Sequence, residues 1–235
     1  MNQNQNNISN SSKVEGILLV NKDLQKTSFS IISILRKITR EKKIGHGGTL
    51  DPFASGVMVI FIGKKYTSKS QEFLEHDKEY IATVSLGNTT DSYDTESPLK
   101  FCSDKVPSLN EVEDILKTFQ GEVMQTPPMF SAKKIKGKRL YKLARQGITV
   151  ERAPLKVRLN ITLVSYNYPL LEINVQCSKG TYIRSLANDI GAALNTGAFL
   201  SKLTRTRSGP FNLSECVDQN LLLTENFNIN KWLKK

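Results

Sequence analysis

Two long runs of alternating apolar and polar residues lie close together in the second half of the chain. Every second residue is apolar from Leu155 to Leu163, and the same alternation returns from Leu171 to Cys177 after the short connection SYNYP. Side chains of a strand point alternately to the two faces of a sheet, so a period of two predicts strands with one buried face. Because the connection is short, the two strands are predicted to pair antiparallel.

Three further segments have the composition of strands. GILLVNK (Gly16 to Lys22) is a short apolar run, and YIATVSLG (Tyr80 to Gly87) alternates between apolar and other residues. VMVIFIG (Val57 to Gly63) is apolar without interruption, which predicts a central strand buried on both faces.

Three helices are predicted from apolar residues spaced three and four positions apart. The first begins at Thr27 or Ser28, either of which can cap it, and a capping box of Ser108 and Glu111 begins the second. The third begins just after Gly180. The predicted apolar stripes are Ile31, Ile34, Leu35 and Ile38; Val112, Ile115, Leu116 and Phe119; and Ile183, Leu186, Ala187, Ile190 and Leu194. The predicted fold class is α/β of the α+β type, with a mixed, largely antiparallel sheet flanked by helices.

The charge balance favours a polyanionic partner. The chain has 33 Lys and Arg against 22 Asp and Glu, a net charge of +11 and a pI near 9.5. Nucleic acid is the leading candidate, although excess lysine can also serve solubility alone. The most basic segment, Gln125 to Arg152, interleaves aromatic residues with its cations. It is either an arm that tracks phosphates or a solvated basic loop.

Composition also bounds the domain organisation and the compartment. We expect a disordered polar tail over residues 1–13 and a single domain over residues 14–235. No apolar stretch suggests a signal peptide or a membrane span. Three widely spaced cysteines and two histidines predict neither a disulfide framework nor a metal site. A cytoplasmic protein is expected, acting as a monomer with no obligatory protein partner.

The stretch GHGGTLDPFASG places one carboxylate, Asp51, between flexible glycines and a proline. Pro52 biases Asp51 away from helical backbone angles, and the glycines permit positive φ. From local sequence alone, Asp51 is more commonly a turn residue bonded to nearby amides than a catalytic group. His46 is equally open between a general base, an RNA contact and a packing residue.

Arg184 lies in the first turn of the third predicted helix. A cation at that position opposes the helix dipole, so a carboxylate or phosphate partner would explain it. The alternative is an exposed arginine without a partner.

Six stretches resemble, in order and spacing, the motifs of the TruB-type tRNA pseudouridine synthases, which modify uridine 55 in the T loop. GHGGTLDPFASGV resembles the family's catalytic motif, and CSKGTYIRSLANDIG resembles its arginine-bearing motif. The other four are GILLVNKDLQKTS, KEYIATVSLGNTTDSYD, PPMFSAKKIKGKRLYKLARQG and LSKLTRTRSGPF. The resemblance covers roughly residues 16–217 and implies the pseudouridine synthase core, with residues 125–152 as an RNA-binding insertion.

The resemblance implies a role for each matched residue. Asp51 matches the catalytic aspartate that initiates breakage of the glycosidic bond, and Arg184 matches the arginine that pairs with it. Tyr80 matches the tyrosine that stacks on the target base, at a site that needs a flipped nucleotide. Residues matching the uracil pocket and its surroundings are Tyr182, Leu203 and His46. The isomerisation needs no cofactor or metal, and the implied partner is the T-arm of tRNA.

Two departures from the family pattern stand out. Asp23 follows Lys22 where the family usually has proline, which frees a backbone N–H donor and predicts a less rigid loop. The residues after LSKLTRTRSGPF are too few for the carboxy-terminal PUA domain of many relatives, so none is expected.

Two other functions remain open at this stage. One is a non-catalytic RNA-binding or tRNA-folding protein, which would give Asp51 no chemical role. The other is a glycosidic-bond hydrolase, which usually needs two carboxylates. The motifs are expected to bring a single carboxylate, Asp51, into the site.

Overall fold

The computed structural model describes residues 13–135 and 137–235, so the predicted tail lies outside the described residues except for Lys13. The helices are α1 (Ser28–Thr39), α2 (Lys64–Thr67), α3 (Ser70–Glu75), α4 (Leu109–Thr118), α5 (Leu140–Ala144) and α6 (Ile183–Ala193). Three 3-10 segments, Leu213–Glu215, Gln219–Leu223 and Ile229–Lys231, lie near the end of the chain.

One large sheet runs through the molecule. Its strands are β1 (Gly16–Lys22), β2 (Ile44–His46), β3 (Ser55–Ile62), β4 (Lys78–Leu86), β7 (Gly121–Gln125), β10 (Leu155–Asn167), β11 (Leu170–Cys177), β12 (Ala198–Ser208), β13 (Phe211–Asn212) and β14 (Val217–Asp218). Two small ribbons are formed by β5 (Asn88–Thr89) with β6 (Lys100–Phe101), and by β8 (Lys134–Ile135) with β9 (Lys138–Arg139).

The strand order in the large sheet is β14-β1-β3-β12-β4-β11-β10-β7, with β2 paired to β3 and β13 to β12. The β1–β14 and β3–β12 pairs are parallel, and the other pairs are antiparallel. The alternating runs form the antiparallel pair β10–β11, as predicted, with Ile161 opposite Val175. The predicted mixed, largely antiparallel sheet is therefore confirmed.

Helix α1 shows one difference from its predicted apolar stripe. Ile31 and Leu35 are fully buried, but Ile32 is also buried and Ile38 is 38% exposed. The buried face is centred between Ile31, Ile32 and Leu35, so Ile38 falls at its edge and reaches solvent. Thr27 caps α1 by accepting the N–H of Ser30, as predicted.

The sheet brings the site residues together at one end. Strand β3 begins directly after the glycine-rich loop and is buried along nearly its whole length, which confirms the predicted central strand. Helix α6 packs against β12 and β4, and Arg184 in its first turn lies 3.0 Å from Asp51, shortly before the start of β3. The capping box of Ser108 and Glu111 begins α4 as predicted, with Val112 and Leu116 buried.

Candidate active site

The loop that carries Asp51 is held to the rest of the molecule by hydrogen bonds on both sides of this residue. The Leu50 N–H donates to Ser28 Oγ, and Ser28 Oγ donates to the Leu50 carbonyl, each over 3.0 Å. The Pro52 carbonyl accepts the N–H of Gln25 over 2.8 Å. Asp51 therefore projects from a backbone that is anchored immediately before and after it.

Glycine is needed at two places in this loop. Gly48 has a φ of +133°, whereas Gly45 and Gly47 have no positive φ. Gly56 has a φ of +108°, and a Cβ there would lie 2.2 Å from the carbonyl oxygen of Arg205 on β12. The absence of a side chain at Gly56 lets β12 pair with the start of β3.

Arg184, in the first turn of α6, contacts four groups from three parts of the chain. Its Nε lies 3.0 Å from Asp51 Oδ2, and its Nη1 lies 3.1 Å from Asp94 Oδ2. Nη1 also donates to the Ser92 carbonyl over 3.1 Å, and Nη2 donates to the Phe130 carbonyl over 2.8 Å. The predicted anionic partner of Arg184 is confirmed, and the planar guanidinium fixes the direction of the Asp51 carboxylate.

The expectation of a single carboxylate in the site is wrong, because Asp94 binds the same guanidinium. Its side chain is 1% exposed, and its Oδ1 accepts Ser92 Oγ over 2.5 Å and the Glu96 N–H over 2.9 Å. Asp94 belongs to KEYIATVSLGNTTDSYD, a stretch that resembled a family motif. Its sequence context is that of a turn aspartate, and no local pattern pairs it with Arg184.

Asp51 differs from Asp94 in its access to solvent, since the Asp51 side chain is 37% exposed. Removal from water raises the pKa of Asp51, while the charge of Arg184 opposes this effect. The charge of Arg184 therefore opposes protonation of a partly desolvated carboxylate. Of the two carboxylates, only Asp51 can meet a substrate.

Lys22 is a fully buried cation beneath the same loop. Its Nζ donates to the carbonyls of Asp23 over 2.8 Å, Lys26 over 2.7 Å and Pro52 over 3.3 Å. Burial lowers the pKa of Lys22 to about 8, and the nearby charge of Asp51 opposes the shift. Lys22 thus supports the backbone next to Asp51 at the cost of a desolvated charge.

This burial predicts a pH-dependent contribution to stability. Between pH 8 and 10.5 the unfolded chain keeps the Lys22 proton while the folded chain has lost it, so the free energy of unfolding rises with pH. Relative to Lys22→Met, wild type should gain up to about 3 kcal/mol over this range. Urea unfolding at a series of pH values measures the difference, with the exposed Lys26→Met as control. Parallel curves for wild type and Lys22→Met would contradict the assignment.

Asp23, at the position where the family usually has proline, makes hydrogen bonds with both its backbone and its side chain. Its N–H donates to Gln219 Oε1 over 3.2 Å, and its Oδ2 accepts Asn220 Nδ2 over 2.8 Å. The backbone donor that proline would lack is thus used to attach the loop to the 3-10 segment Gln219–Leu223. The structure provides two tertiary hydrogen bonds where the sequence predicted a less rigid loop.

Arg205, which sequence reasoning missed, is 2% exposed and holds both ends of the Asp51 loop. Its Nε donates to the Val57 carbonyl over 2.7 Å and its Nη2 donates to the Gly48 carbonyl over 3.1 Å. No carboxylate lies within 4.0 Å of this guanidinium in the part of the chain that the structure describes. The alternation of strand β12 could have indicated its burial. Arg205 lies two positions after Leu203, so both side chains point to the same face of the sheet.

His46 and Tyr80 both lie near this arginine. The His46 Nδ1 accepts the Gly48 N–H over 3.3 Å. Burial lowers the pKa of His46, and the charge of Arg205 lowers it further. Tyr80 is opposite Arg205 in the β4–β12 register and is partly buried against the core. Burial raises the pKa of Tyr80, and Arg205 opposes that shift. Both side chains are therefore favoured in their neutral forms near neutral pH.

The remaining predicted residues border the same region. Tyr182 is the N-cap of α6, and Leu203 is a 7% exposed residue of β12 opposite Ala82. The side chain of Gln125 accepts the Tyr182 N–H over 2.8 Å and donates to the Tyr182 carbonyl over 3.1 Å. The start of the basic segment 125–152 is thus attached directly to the start of α6.

Within the described residues, 13–135 and 137–235, no group of three or more His, Cys, Asp or Glu side chains could hold a metal ion. No described helix is both long enough and apolar enough to cross a bilayer.

Two family profiles match the chain. "TruB family pseudouridylate synthase (N terminal domain)" matches residues 36–183, more than half of the sequence, and "tRNA pseudouridylate synthase B C-terminal domain" matches residues 184–231. The chain belongs to the TruB family of pseudouridylate synthases. The family resemblance inferred from the sequence motifs is therefore confirmed, and the chain is an isomerase by family.

Curated TruB relatives match over most of their length. The chain is 56% identical over 207 residues to tRNA pseudouridine synthase B of Protochlamydia amoebophila, with 88% of this chain and 79% of the relative covered. It is 52% identical over 221 residues to the protein of the same name from Chlamydia trachomatis serovar L2, covering 94% and 92%. The Clostridium acetobutylicum relative is 44% identical over 230 residues, covering 94% and 78%.

Solved structures agree on the fold. A chain of the Cbf5-Nop10-Gar1 complex matches with a TM-score of 0.69 and 30% identity, over 88% of this chain and 53% of its own length. A chain of an H/ACA RNP bound to a substrate RNA containing 2'-deoxyuridine matches with a TM-score of 0.67 and 27% identity, over 94% and 56%. The TruB-family chain spans about half the length of these matched chains, and the predicted pseudouridine synthase core is confirmed.

Proposed function

We propose that this chain converts uridine 55 in the T loop of tRNA to pseudouridine, with Asp51 as the catalytic residue. The observation that carries the proposal is the ion pair between Asp51 and Arg184. Arg184 binds two carboxylates, Asp51 and Asp94, and of these only Asp51 is open to solvent. A partner tRNA, action as a monomer and a cytoplasmic location remain part of the proposal.

The reaction is an isomerisation, so no atom is gained or lost. The bond from N1 of uracil to C1' of the ribose breaks, the base turns, and a bond from C5 to C1' forms. The proton on C5 is lost and a proton is gained at N1. Asp51 supplies the negatively charged oxygen that initiates bond breakage, by attack or by electrostatic stabilisation of the sugar.

The other residues are assigned to holding the flipped nucleotide. A base that leaves its stack costs a few kcal/mol, and stacking on Tyr80 offsets part of this cost. Tyr182 and Leu203 border the uracil, and His46 contacts the displaced RNA near the loop. Arg184 keeps the Asp51 carboxylate oriented, and the basic segment 125–152 contacts phosphates of the T-arm.

The two alternative functions differ from this proposal in testable ways. A hydrolase would need a second carboxylate with access to the sugar, and Asp94 is 1% exposed and shares the Arg184 guanidinium. A purely RNA-binding protein would have no chemical use for a solvent-accessible carboxylate that an arginine orients.

The test uses purified protein and a T-arm hairpin that contains uridine 55. Pseudouridine is expected at that position, seen as unchanged RNA mass with a reverse-transcription stop after carbodiimide treatment. A hairpin with cytidine at position 55 is the matched control and should show no stop there. Release of free uracil would show hydrolysis, and binding without any product would show a binding protein. Either result would overturn the proposal.

A further inference from the structure

Helix α1 begins at the loop that carries Asp51 and leads away from it. Ser28, its first residue, exchanges two hydrogen bonds with Leu50, the residue before Asp51. The helix has 12 residues, which corresponds to a length of about 18 Å. A strand of RNA whose target base occupies the site could therefore continue along the outer face of α1.

An aromatic residue marks the end of that face nearest to the loop. Phe29 is 63% exposed, although it directly follows the buried Ser28. Arg36 lies on the same side of the helix, and its guanidinium carbon is 5.8 Å from the centroid of the Phe29 ring. An exposed aromatic ring beside a cation is a surface on which an unstacked base can stack.

A row of cations begins in the last turn of α1 and continues into the segment after it. Arg36 and Lys37 belong to the helix, Arg40 is its C-cap, and Lys42 and Lys43 follow; all five are exposed. Within residues 13–135 and 137–235, none of these five has a carboxylate oxygen within 4.0 Å. Such a row of cations favours the binding of a polyanion, because each contact between a cation and a phosphate releases counterions from the nucleic acid.

The one carboxylate in this stretch does not neutralise the row. Glu41 Oε1 accepts the backbone N–H of Lys43 over 2.7 Å, and its Oε2 lies 3.8 Å from Lys13 Nζ. Its side chain is 13% exposed. The surface is therefore basic from Arg36 onward, with Phe29 at its other end.

This face is separate from the basic segment 125–152. Helix α1 contacts β2 and the 3-10 segment Gln219–Leu223, and β2 pairs with β3. The basic segment instead follows β7, which is the last strand at the other end of the sheet order. RNA bound at Asp51 would then be contacted from two parts of the sheet.

We propose that the outer face of α1 together with the segment that follows it, formed by Phe29, Arg36, Lys37, Arg40, Lys42 and Lys43, is a second RNA-binding surface. Phe29 stacks on a base exposed beside the target nucleotide, and the cations contact phosphates of the flanking strand. The inference rests on the proposed function for the identity of the RNA. It concerns binding, however, which is measured separately from isomerisation.

The test compares tRNA affinity at several salt concentrations for two α1 variants, each in the Asp51→Asn background so that the RNA stays unmodified. Arg36→Gln/Arg40→Gln should weaken binding about tenfold and reduce the slope of log affinity against log salt by about two. Phe29→Ala should weaken binding about tenfold with little change in slope, because stacking involves no counterion release. Thermal melting confirms that each variant is folded.

The matched control is Lys117→Gln/Lys202→Gln, which removes the same charge from exposed positions on α4 and β12. It should lower the affinity by less than about twofold. If Arg36→Gln/Arg40→Gln matched this control in affinity and slope, α1 would not contact RNA and the inference would be wrong. Failure of the proposed function would appear differently, as wild-type protein that binds tRNA and forms no pseudouridine.

Discussion

Asp51→Asn is expected to lower the rate of pseudouridine formation at least about a thousandfold, while tRNA binding stays within a few fold of wild type. The amide nearly preserves the size and polarity of the side chain and removes the charged oxygen. The Arg184 guanidinium lies 3.0 Å from the Asp51 carboxylate and can still bond the amide oxygen. Single-turnover conversion of the T-arm hairpin measures the rate, and a titration with the same hairpin measures binding.

The chain offers a matched control for this substitution. Asp91 is an exposed aspartate whose charge is paired with Lys100, so Asp91→Asn makes the same chemical change outside the ion pairs of Arg184. It should leave the rate within about twofold of wild type. Conversion by Asp51→Asn at the wild-type rate would show that Asp51 is not the catalytic residue, even if the chain forms pseudouridine.

Arg184→Met is expected to abolish activity and also to destabilise the fold by about 3–5 kcal/mol. The guanidinium is the ion-pair partner of Asp94, whose side chain is 1% exposed, and its removal leaves that carboxylate buried without a cation. The carbonyls of Ser92 and Phe130 also lose their donor. Urea unfolding measures the stability, and single-turnover kinetics on the folded fraction measures the activity.

A second substitution separates these two effects. Arg184→Met/Asp94→Asn removes the orphaned buried charge, so its stability should recover part of the loss seen in Arg184→Met. Activity should stay absent, because Asp51 still lacks the cation that orients it. Additive losses of stability would contradict the coupling between Arg184 and Asp94. Wild-type activity in Arg184→Met would contradict the role of the ion pair with Asp51.

The three longest helices and five of the ten strands of the large sheet could be predicted because their signals are local. The strand predicted over Gly16 to Lys22 has those bounds in the structure, and the capping residues of α1 and α4 are as predicted. Apolar period and capping depend on residues a few positions apart, so both can be seen in the sequence. Ile38 was misplaced because a stripe drawn at fixed spacing does not reveal where the centre of the buried face lies.

The candidate site was predicted only in part. Motif resemblance identified Asp51 and Arg184, and the structure brings their side chains into contact. The motif resemblance did not identify Asp94 or Arg205 as parts of the same site. Both belong to quoted motifs, but the sequence contains no information on which distant groups their side chains meet.

The sequence by itself determined the three longest helices, five strands of the large sheet, the basic character and the family of this protein. Only the tertiary structure decided that Arg184 also joins Asp94 and the Phe130 carbonyl, that Arg205 holds both ends of the Asp51 loop, and that Lys22 is buried below it. The physical reason is that local structure follows from neighbouring residues, whereas a charged group acquires its partners and its pKa from segments that packing brings near it.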